Sequence, residues 1–164
     1  MEKLEQTQDF IIRQIGLLRS DAEGFRLELR PEYRPAMAGL EGFGCLNILW
    51  WFSGCDNTES RGKLVERAPY RHGPEELGVF ATRSPDRPNP IALSCAGVTY
   101  VDRDRGVIGL DYIDANDGSP VLDMKPYTPG IDRVEYPKVP EWCAHWPTNV
   151  EASGEFDWTE EFNF

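Results

Sequence analysis

A proline-rich loop confines two arginines and an asparagine within a short stretch of the chain. Arg83, Arg87 and Asn89 lie in RSPDRPNP, residues 83–90, where three of the last six positions are proline. A guanidinium matches carboxylate or phosphate oxygens, and a carboxamide matches the donor–acceptor edge of a base. Because each proline fixes φ, the loop gives up conformational entropy in advance, as a preorganised binding wall does. The same spacing also allows a stiff connection whose arginines pair with local acids such as Asp86.

Charge is distributed unevenly along the chain and favours the ligand interpretation of this loop. Residues 61–87 carry six Arg or Lys against four Asp or Glu, whereas the whole chain has 17 against 28 and a formal net charge of −11. A positive stretch in an acidic chain indicates a site for an anionic group. The total charge works against RNA binding, since much of the affinity for RNA comes from neutralised phosphates.

A second polar set follows in DGSPVLDMKPY, residues 117–127. Asp117 and Gly118 are typical of a turn, and Asp123 interrupts an otherwise apolar strand. Strand alternation places Asp123 and Lys125 side by side on one face. Either they form an outward ion pair, or this face turns toward a pocket in which they act together. The residues alone leave both interpretations open.

Strands must position these residues, because period-two alternation dominates the chain. Leu46–Phe52 is apolar at nearly every position, which predicts a central strand buried on both faces. A helix is predicted over Asn57–Arg67. The other predicted strands are Ile11–Leu18, Phe25–Arg30, Ile91–Val101, Val107–Ile113 and Val121–Met124, with a charged hairpin connection at residues 102–106. Short antiparallel strands, one or two short helices and long proline-rich loops predict a mostly β protein, a barrel or a sandwich.

The length of 164 residues predicts one domain of ordinary size. We expect a barrel domain over residues 1–150 and an extension over residues 151–164, which carries five acids, no base and four aromatic residues. Those aromatic residues are expected to pack on the barrel or on a second subunit, with partner binding as the alternative. The four cysteines lack metal-ligand spacing, so we expect reduced, mostly buried thiols and no metal site. No stretch predicts a membrane span, and the charged start predicts a cytoplasmic protein.

Two stretches resemble the motifs of a known family. GVFATRSPDRPNPIALS over residues 78–94 and DGSPVLDMKPY over residues 117–127 are similar, in the same order, to motifs of the TrmO-like (TsaA-like, YaeB-type) family. Weaker similarity extends the match over roughly residues 11–135. This family comprises S-adenosylmethionine-dependent methyltransferases that methylate N6 of a modified adenosine in tRNA. The resemblance implies a small antiparallel β-barrel, S-adenosyl-L-methionine as cofactor, and a homodimer that binds it near the subunit interface.

The resemblance also assigns roles to individual residues. Asn89, Asp123 and Lys125 would be catalytic, and Tyr127 would receive the substrate. Either Asp123 or Asn89 is expected to accept a hydrogen bond from the attacking amine. In-line methyl transfer needs two reactants aligned within about 3–3.5 Å more than it needs a catalytic dyad. The residues implied in cofactor binding are Ser53, Gly54, Arg83, Arg87, Leu93, Asp117, Gly118, Ser119 and Pro120.

The sequence departs from the family pattern at several places, including Phe43-Gly44-Cys45 in place of Phe-Ser-His. The connection Ser20–Gly24 lacks the Pro-x-Gln segment typical of the family, Ser53 stands where the family has His, and Ala92 stands where it has Gly. These departures, together with the net charge, keep two alternatives to a tRNA methyltransferase open. One is a methyltransferase for a small-molecule acceptor, and the other is a cofactor-binding module without turnover.

Overall fold

Six antiparallel strands close into a small barrel that organises the chain. The computed structural model describes residues 8–163. The barrel has the strand order β1-β2-β7-β6-β3-β8, and β4 and β5 form a separate two-stranded sheet. This confirms the predicted mostly β fold. The strands are β1 Gly16–Asp21, β2 Gly24–Leu29, β3 Cys45–Trp51, β4 Val65–Arg67, β5 Glu76–Gly78, β6 Ile91–Asp102, β7 Val107–Leu110 and β8 Pro120–Pro126. Residues 1–7 and 164, which belong to the two predicted units 1–150 and 151–164, lie outside the described residues.

Alternating apolar side chains fill the interior of the barrel. Leu18, Leu27, Leu46, Ile48 and Ile108 have no exposed surface, and they come from strands on all sides of the closed sheet. Burying such a side chain stabilises the fold by about 1.5–3 kcal/mol relative to leaving it exposed. The barrel is therefore held closed by its core.

β3 is central to the sheet but is buried on one face only. Leu46, Ile48 and Trp50 point into the core, whereas Leu49 and Trp51 on the outer face are only half-buried. The prediction of burial on both faces is therefore wrong. The barrel encloses the inner face of the strand, and the described part of the chain leaves the outer face partly open.

β1 begins at Gly16, later than the predicted strand Ile11–Leu18. Pairing with β8 starts with Gly16 opposite Val121. Ile11 and Ile12 come before that edge and are 93% and 54% exposed. Apolar residues without a neighbouring strand edge have no ladder to join, so this part of the prediction is wrong.

The predicted helix Asn57–Arg67 is only partly formed. Helix α1 covers Thr58–Gly62, and the Asn57 side chain caps it by accepting a hydrogen bond from the Ser60 amide at 2.9 Å. The chain then becomes extended, and β4 pairs with β5. α1 ends at Gly62, and pairing with β5 then holds residues 65–67 extended. These two features outweigh the helical pattern in the second half of the predicted helix.

The predicted hairpin between β6 and β7 is confirmed, with Gly106 at a φ of +74° in its turn. β7 ends at Leu110, before the predicted end at Ile113. Beyond Leu110 the Asp111 amide still donates to the Gly97 carbonyl at 2.9 Å, but the Gly97 amide donates to Asp111 Oδ1 at 2.8 Å instead of to a backbone carbonyl.

Short helices and turns connect and follow the strands. Besides α1, the described residues form helices α2 Pro129–Asp132 and α3 Val150–Ser153. No helix in the part of the chain that the structure describes is long and apolar enough to cross a membrane. All four cysteines are unpaired, and Cys143 is buried. Cys45, Cys55 and Cys95 are half-buried, so the prediction of mostly buried thiols is wrong for these three.

Candidate active site

Strand register brings the two motif stretches together on the outer face of the barrel. Leu49 of β3 lies opposite Leu93 of β6 on one side and opposite Asp123 of β8 on the other. Asn47 lies opposite Lys125. Directly opposed residues share a face of the sheet, as do residues two apart along a strand. These five side chains therefore form one surface, which we call the motif face.

A β-bulge puts Asp123 on this face. Val121 pairs with the inward-facing Trp50 and is fully buried, yet Asp123 pairs with the outward-facing Leu49. The register shift between Leu49 and Trp50 leaves Leu122 without a directly opposed partner and reverses the alternation. Without the bulge, Asp123 would share the inward face with Val121. Bulges of this kind often redirect side chains next to active sites.

Asp123 and Lys125 form an ion pair on the motif face, with side chains 54% and 66% exposed. In the single chain, therefore, Asp123 points outward and pairs with Lys125, as one of the two interpretations of the sequence predicted. Ion pairs this exposed contribute little to stability, about 0–1 kcal/mol. The pair can therefore open toward a ligand at small cost.

Arg87 is occupied by the backbone of its own loop. Its Nε donates to the Ser84 carbonyl, and its Nη2 donates to the carbonyls of Val79 and Thr82, each at 2.8 Å. The predicted pairing of an arginine with Asp86 does not occur, because Lys63 takes that partner at 3.3 Å. Arg87 thus shapes the loop from inside, whereas the sequence alone favoured a ligand contact.

The other polar groups of the proline-rich loop lie nearer to solvent. Arg83 is exposed, and its Nη2 donates to the carbonyl of Leu93 on the motif face. Asn89 is exposed at the end of the loop. The Phe52 amide donates to the Pro90 carbonyl at 2.9 Å, which places the Ser53–Cys55 turn after β3 beside the loop. Ser53 and Gly54 are exposed in that turn.

The Asp117–Pro120 turn reaches the same end of the barrel, because β8 starts where the antiparallel β3 ends. Gly118 has a φ of +80°, and its amide donates to the Leu18 carbonyl at 2.8 Å. Asp117 Oδ1 accepts the Ser20 amide at 3.1 Å, and Ser119 is only 8% exposed. The turn is thus fixed to β1, and several of its hydrogen-bonding groups are already bonded to the backbone of that strand.

Tyr127 and helix α2 border the motif face at its other end. The Tyr127 amide donates to the Cys45 carbonyl at 3.0 Å, which keeps the chain beside β3 after β8 ends. Asn47 Nδ2 then donates to Asp132 Oδ1 of α2 at 3.0 Å. The Asp132 carboxylate also accepts the Thr128 amide at 2.7 Å. α2 is therefore tied to β3 through the Asn47 side chain.

The predicted residues are brought together, but as an open surface. Leu93, on the β6 side of the motif face, is 49% exposed. The alternative in which the face of Asp123 and Lys125 turns toward a pocket is therefore not realised by the described residues of a single chain. Two depressions on the described surface are lined by other residues. One lies against Arg34 and Arg103 beside the hairpin at the far end of β6, and the other lies between Gln14 and Arg30.

One anchor of the proline-rich loop, Glu66, was not predicted from the sequence. Glu66 of β4 accepts a hydrogen bond from Ser84 Oγ at 2.7 Å and also pairs with Lys63 at 2.8 Å. The hydrogen bond to Glu66, and after it the one to Asp86, raise the pKa of Lys63. The pKa of Asp86 is lowered, chiefly by a hydrogen bond from Ser60 and also by Lys63. Glu66 lies in β4, and the sequence would have indicated its role only if this stretch had been predicted as a strand and not as part of a helix.

Tyr70, between β4 and β5, is 8% exposed, and this burial raises its pKa.

The donor set fits a methyl-donating nucleoside better than a metal ion. Exposed Arg83 can pair with a carboxylate, Asn89 can pair with a base edge, and Leu49 and Leu93 offer apolar surface for a ring. Across the described residues, no group of three or more His, Cys, Asp or Glu is arranged to hold a metal ion. Burial raises the pKa of Cys95, beside the motif face, to about 11, so its thiol stays protonated near neutral pH.

Comparison with known proteins agrees with this geometry. Residues 8–133 match the family described as tRNA-methyltransferase O N-terminal domain. A probable S-adenosyl-L-methionine-binding protein of Archaeoglobus fulgidus is 35% identical over 142 residues, covering 78% of this chain and 37% of that protein. The tRNA (adenine(37)-N6)-methyltransferase of Escherichia coli is 38% identical over 119 residues, covering 71% and 50%.

A solved structure shares the fold. The crystal structure of TrmO from Pseudomonas aeruginosa superposes with a TM-score of 0.62 at 29% sequence identity, covering 80% of this chain and 61% of that one. The chain thus spans less than two thirds of each of these three proteins. The match over residues 8–133 contains the whole barrel and both motif stretches. The chain belongs to the TrmO N-terminal domain family.

Proposed function

We propose that this protein is an S-adenosylmethionine-dependent methyltransferase that acts on N6 of a modified adenine in tRNA. The observation that carries the proposal is the register of β3, which sets Leu93 and Asp123, one from each motif stretch, on either side of Leu49. The similar proteins are named S-adenosyl-L-methionine-binding proteins and a tRNA (adenine(37)-N6)-methyltransferase. A tRNA substrate is consistent with a reaction in the cytoplasm.

The cofactor, when bound, supplies an electrophilic methyl group on a sulfonium. We assign its binding to the end of the barrel where the Ser53–Gly54 turn, the proline-rich loop and the Asp117–Pro120 turn meet. Arg83 would pair with its carboxylate, and Leu93 would contact its nucleoside. Arg87, Asp117, Gly118 and Ser119 would act mainly by holding the two binding segments in shape, since their polar groups already bond to backbone atoms.

The acceptor is assigned to the motif face. Asp123 would accept a hydrogen bond from the attacking amine and remove its proton as the new N–C bond forms. Lys125 would hold the carboxylate in place, as it does in the free chain. Asn89 would orient the acceptor base through its carboxamide, and Tyr127 would border the base. Alignment is the main contribution that these residues make to the rate.

A homodimer would close this open site. Exposed apolar residues follow the motif face along the chain: Ile131 in α2 is 86% exposed, and Val134 and Tyr136 after it are 69% and 84% exposed. A contiguous exposed apolar surface is typical of an interaction site. A second copy seated there would exclude water from the methyl-transfer geometry. Light scattering measures the molar mass in solution and so tests the proposed homodimer. A monomeric mass at the concentration used for the methylation assay would exclude the dimer.

A small-molecule acceptor is the second candidate, favoured by the formal net charge of −11. One experiment separates the possibilities. The protein is incubated with methyl-labelled S-adenosylmethionine and either total tRNA or a small-metabolite extract. Labelled N6-methyl adenine in tRNA supports the proposal. Label in the extract alone supports the second candidate, and cofactor binding without any labelled product supports a binding module. If S-adenosylmethionine does not bind, the tRNA methyltransferase, the small-molecule methyltransferase and the binding module are all excluded.

A further inference from the structure

The central residue of β4 is a glutamate whose side chain is largely withdrawn from solvent. Val65 and Arg67 on either side of it are exposed, whereas the Glu66 side chain is only 15% exposed. Strand alternation places Glu66 on the opposite face from its two neighbours. A carboxylate that leaves solvent must be paired to offset the cost of its desolvation. The partners of Glu66 therefore indicate what this position serves.

Glu66 belongs to a closed ring of four residues, which we call the polar ring. Its carboxylate accepts a hydrogen bond from Ser84 Oγ at 2.7 Å and pairs with Lys63 Nζ at 2.8 Å. Lys63 Nζ also lies 3.3 Å from Asp86 Oδ2. The Asp86 amide donates to Ser84 Oγ at 3.3 Å, which closes the ring. Each member thus contacts two others, and such linked contacts support one another.

The polar ring joins the proline-rich loop to residues outside both motif stretches. Lys63 and Glu66 precede residues 78–94, whereas Ser84 and Asp86 lie within that stretch, on either side of Pro85. The proline already restricts φ at the middle position. The ring therefore holds residues 84–86 from both ends of this three-residue segment.

The residue before Arg83 is fixed by contacts within the loop itself. Thr82 is 9% exposed, and its hydroxyl donates to the Val79 carbonyl at 2.9 Å. The Thr82 carbonyl accepts a hydrogen bond from Arg87 Nη2 at 2.8 Å. The chain therefore reaches Arg83 from a backbone position that has little freedom.

The polar ring fixes the residue after Arg83. The Ser84 hydroxyl is bonded to Glu66, and the Ser84 amide donates to Thr82 Oγ1 at 3.2 Å. Arg83 is thus confined on both sides, while its own side chain is exposed and donates to the Leu93 carbonyl. The position of the Arg83 guanidinium therefore depends on Glu66 through one hydrogen bond and one peptide unit.

We propose that Glu66 is a positioning residue for the methyl-donor site, because its hydrogen bond to Ser84 holds the proline-rich loop in the conformation that presents Arg83. The proposal rests on the proposed function, in which Arg83 binds the carboxylate of the methyl donor. Glu66 acts through Ser84 and does not itself contact the donor. Fixing the loop before the donor arrives lowers the entropic cost of binding.

The test compares Glu66→Ala with Glu76→Ala in the full-length chain. Glu76 lies on the paired strand β5, is 59% exposed and is 3.9 Å from its partner Arg67. Titration calorimetry measures the Kd for S-adenosylmethionine well below the Tm of each variant, so that a loss of stability alone does not change it. We expect Glu66→Ala to weaken binding by about three- to tenfold, the size of one hydrogen bond. Glu76→Ala should bind within about twofold of the parent chain. Equal affinity in the two variants would overturn the positioning role.

Glu66→Gln tests the route through Ser84, because its amide oxygen can still accept the hydrogen bond while the charge is lost. The ion pairs of the ring are partly exposed and contribute little alone. We therefore expect Glu66→Gln to bind S-adenosylmethionine more tightly than Glu66→Ala does. If glutamine restores none of the lost affinity, the route through the Ser84 hydrogen bond is excluded.

A double-mutant cycle completes the test. Ser84→Ala should weaken binding about as much as Glu66→Ala does, and the double variant should bind no more weakly than the weaker single one, because both changes remove the same hydrogen bond. Additive losses would overturn the proposal. The parent chain separates this proposal from the proposed function: no binding there contradicts the proposed function and the positioning role with it. Binding by the parent chain, with Glu66→Ala unaffected, overturns the positioning role alone.

Discussion

The Arg87 guanidinium shapes the proline-rich loop by bonding to three backbone carbonyls of residues 79–84. With three prolines among residues 85–90, this loop has few amides of its own to satisfy those carbonyls. A planar fork of donors is the side chain that can do so from one position. The arginine is therefore required for the shape of the loop, independently of any ligand.

Arg87→Ala should lower the free energy of unfolding by about 1.5–3 kcal/mol. The Thr82 and Ser84 carbonyls lose the donor that Arg87 supplies, whereas the Val79 carbonyl keeps the Thr82 amide and hydroxyl. Urea denaturation monitored by tryptophan fluorescence measures the change. Arg67→Ala is the matched control, since Arg67 is 79% exposed and its ion pair with Glu76 is long, at 3.9 Å. The control should change stability by less than about 0.5 kcal/mol. Equal effects in the two variants would contradict the assigned role of Arg87.

Asp123→Asn should lower kcat of methyl transfer by about a hundredfold while leaving the affinity for S-adenosylmethionine within twofold of the parent value, as loss of a general base does. The amide keeps the size of the side chain and loses its basicity. Glu59→Gln, in the first turn of α1, neutralises a carboxylate elsewhere and serves as the control. Full turnover in Asp123→Asn would remove the proton-accepting role from this residue.

At the scale of elements, the close approach of β1 and β2 depends on Gly16. A Cβ there would clash with the carbonyl oxygen of Glu28 and lie against the Cα of Leu29. Both neighbours are backbone atoms, so neither can move aside as a flexible side chain would. Gly16 also begins the pairing of β1 with β8, where the barrel closes.

Gly16→Ala should therefore destabilise the barrel by about 1–3 kcal/mol, the usual cost of overpacking. Chemical denaturation measures it against Gly44→Ala, a position where a Cβ would meet nothing within 4 Å. The control is expected to be neutral within about 0.5 kcal/mol. A neutral Gly16→Ala would show that the β1–β2 pair tolerates wider spacing than the structure indicates.

The sequence predicted those elements whose signal is local. The β6–β7 hairpin and the alternation of Phe25–Arg30 were recognised because charge, glycine and period-two patterning coincide there. The β-bulge at Leu49 and Trp50 was not predicted, since it depends on register between strands far apart in sequence. For the same reason, the sequence identified the residues of the two motif stretches but did not show that Leu49 lies between Leu93 and Asp123. The helix prediction failed over β4, where cross-strand pairing overrode local propensity.

At the scale of the whole molecule, the acidic C-terminal segment, residues 141–163, lies against the basic stretch, residues 61–87, through the Tyr70–Phe162 bridge. Glu160 forms an ion pair with Arg71, and Glu161 is buried beside His145 and Trp146. Part of the positive charge that the sequence offered to an anionic ligand is thus neutralised within the chain. This is a physical reason to test small acceptors alongside tRNA.

Acid should loosen this contact. The hydrogen bond from His145 is the main cause that holds the pKa of Glu161 below its ordinary value of 4.5, and His72 adds to it. A lowered carboxyl pKa stabilises the fold above the unfolded value, and the stabilisation is lost as pH falls through the folded value. Tm should therefore fall as the pH drops below about 4.5 and on through the lowered folded-state pKa of Glu161. In Glu161→Gln the fall should be shallower, whereas Glu151→Gln should follow the parent chain. Parallel curves for all three chains would contradict this assignment.

A crystal structure of the protein with S-adenosylmethionine tests the central claim most directly, namely that both motif stretches serve one methyl donor. We predict that the donor lies at the end of the barrel between Arg83 and the Asp117–Pro120 turn, with its methyl group directed toward Leu93 and Asp123 on the motif face. A donor bound in the depression beside Arg34 and Arg103, or contacted by one motif stretch and not the other, would contradict the account.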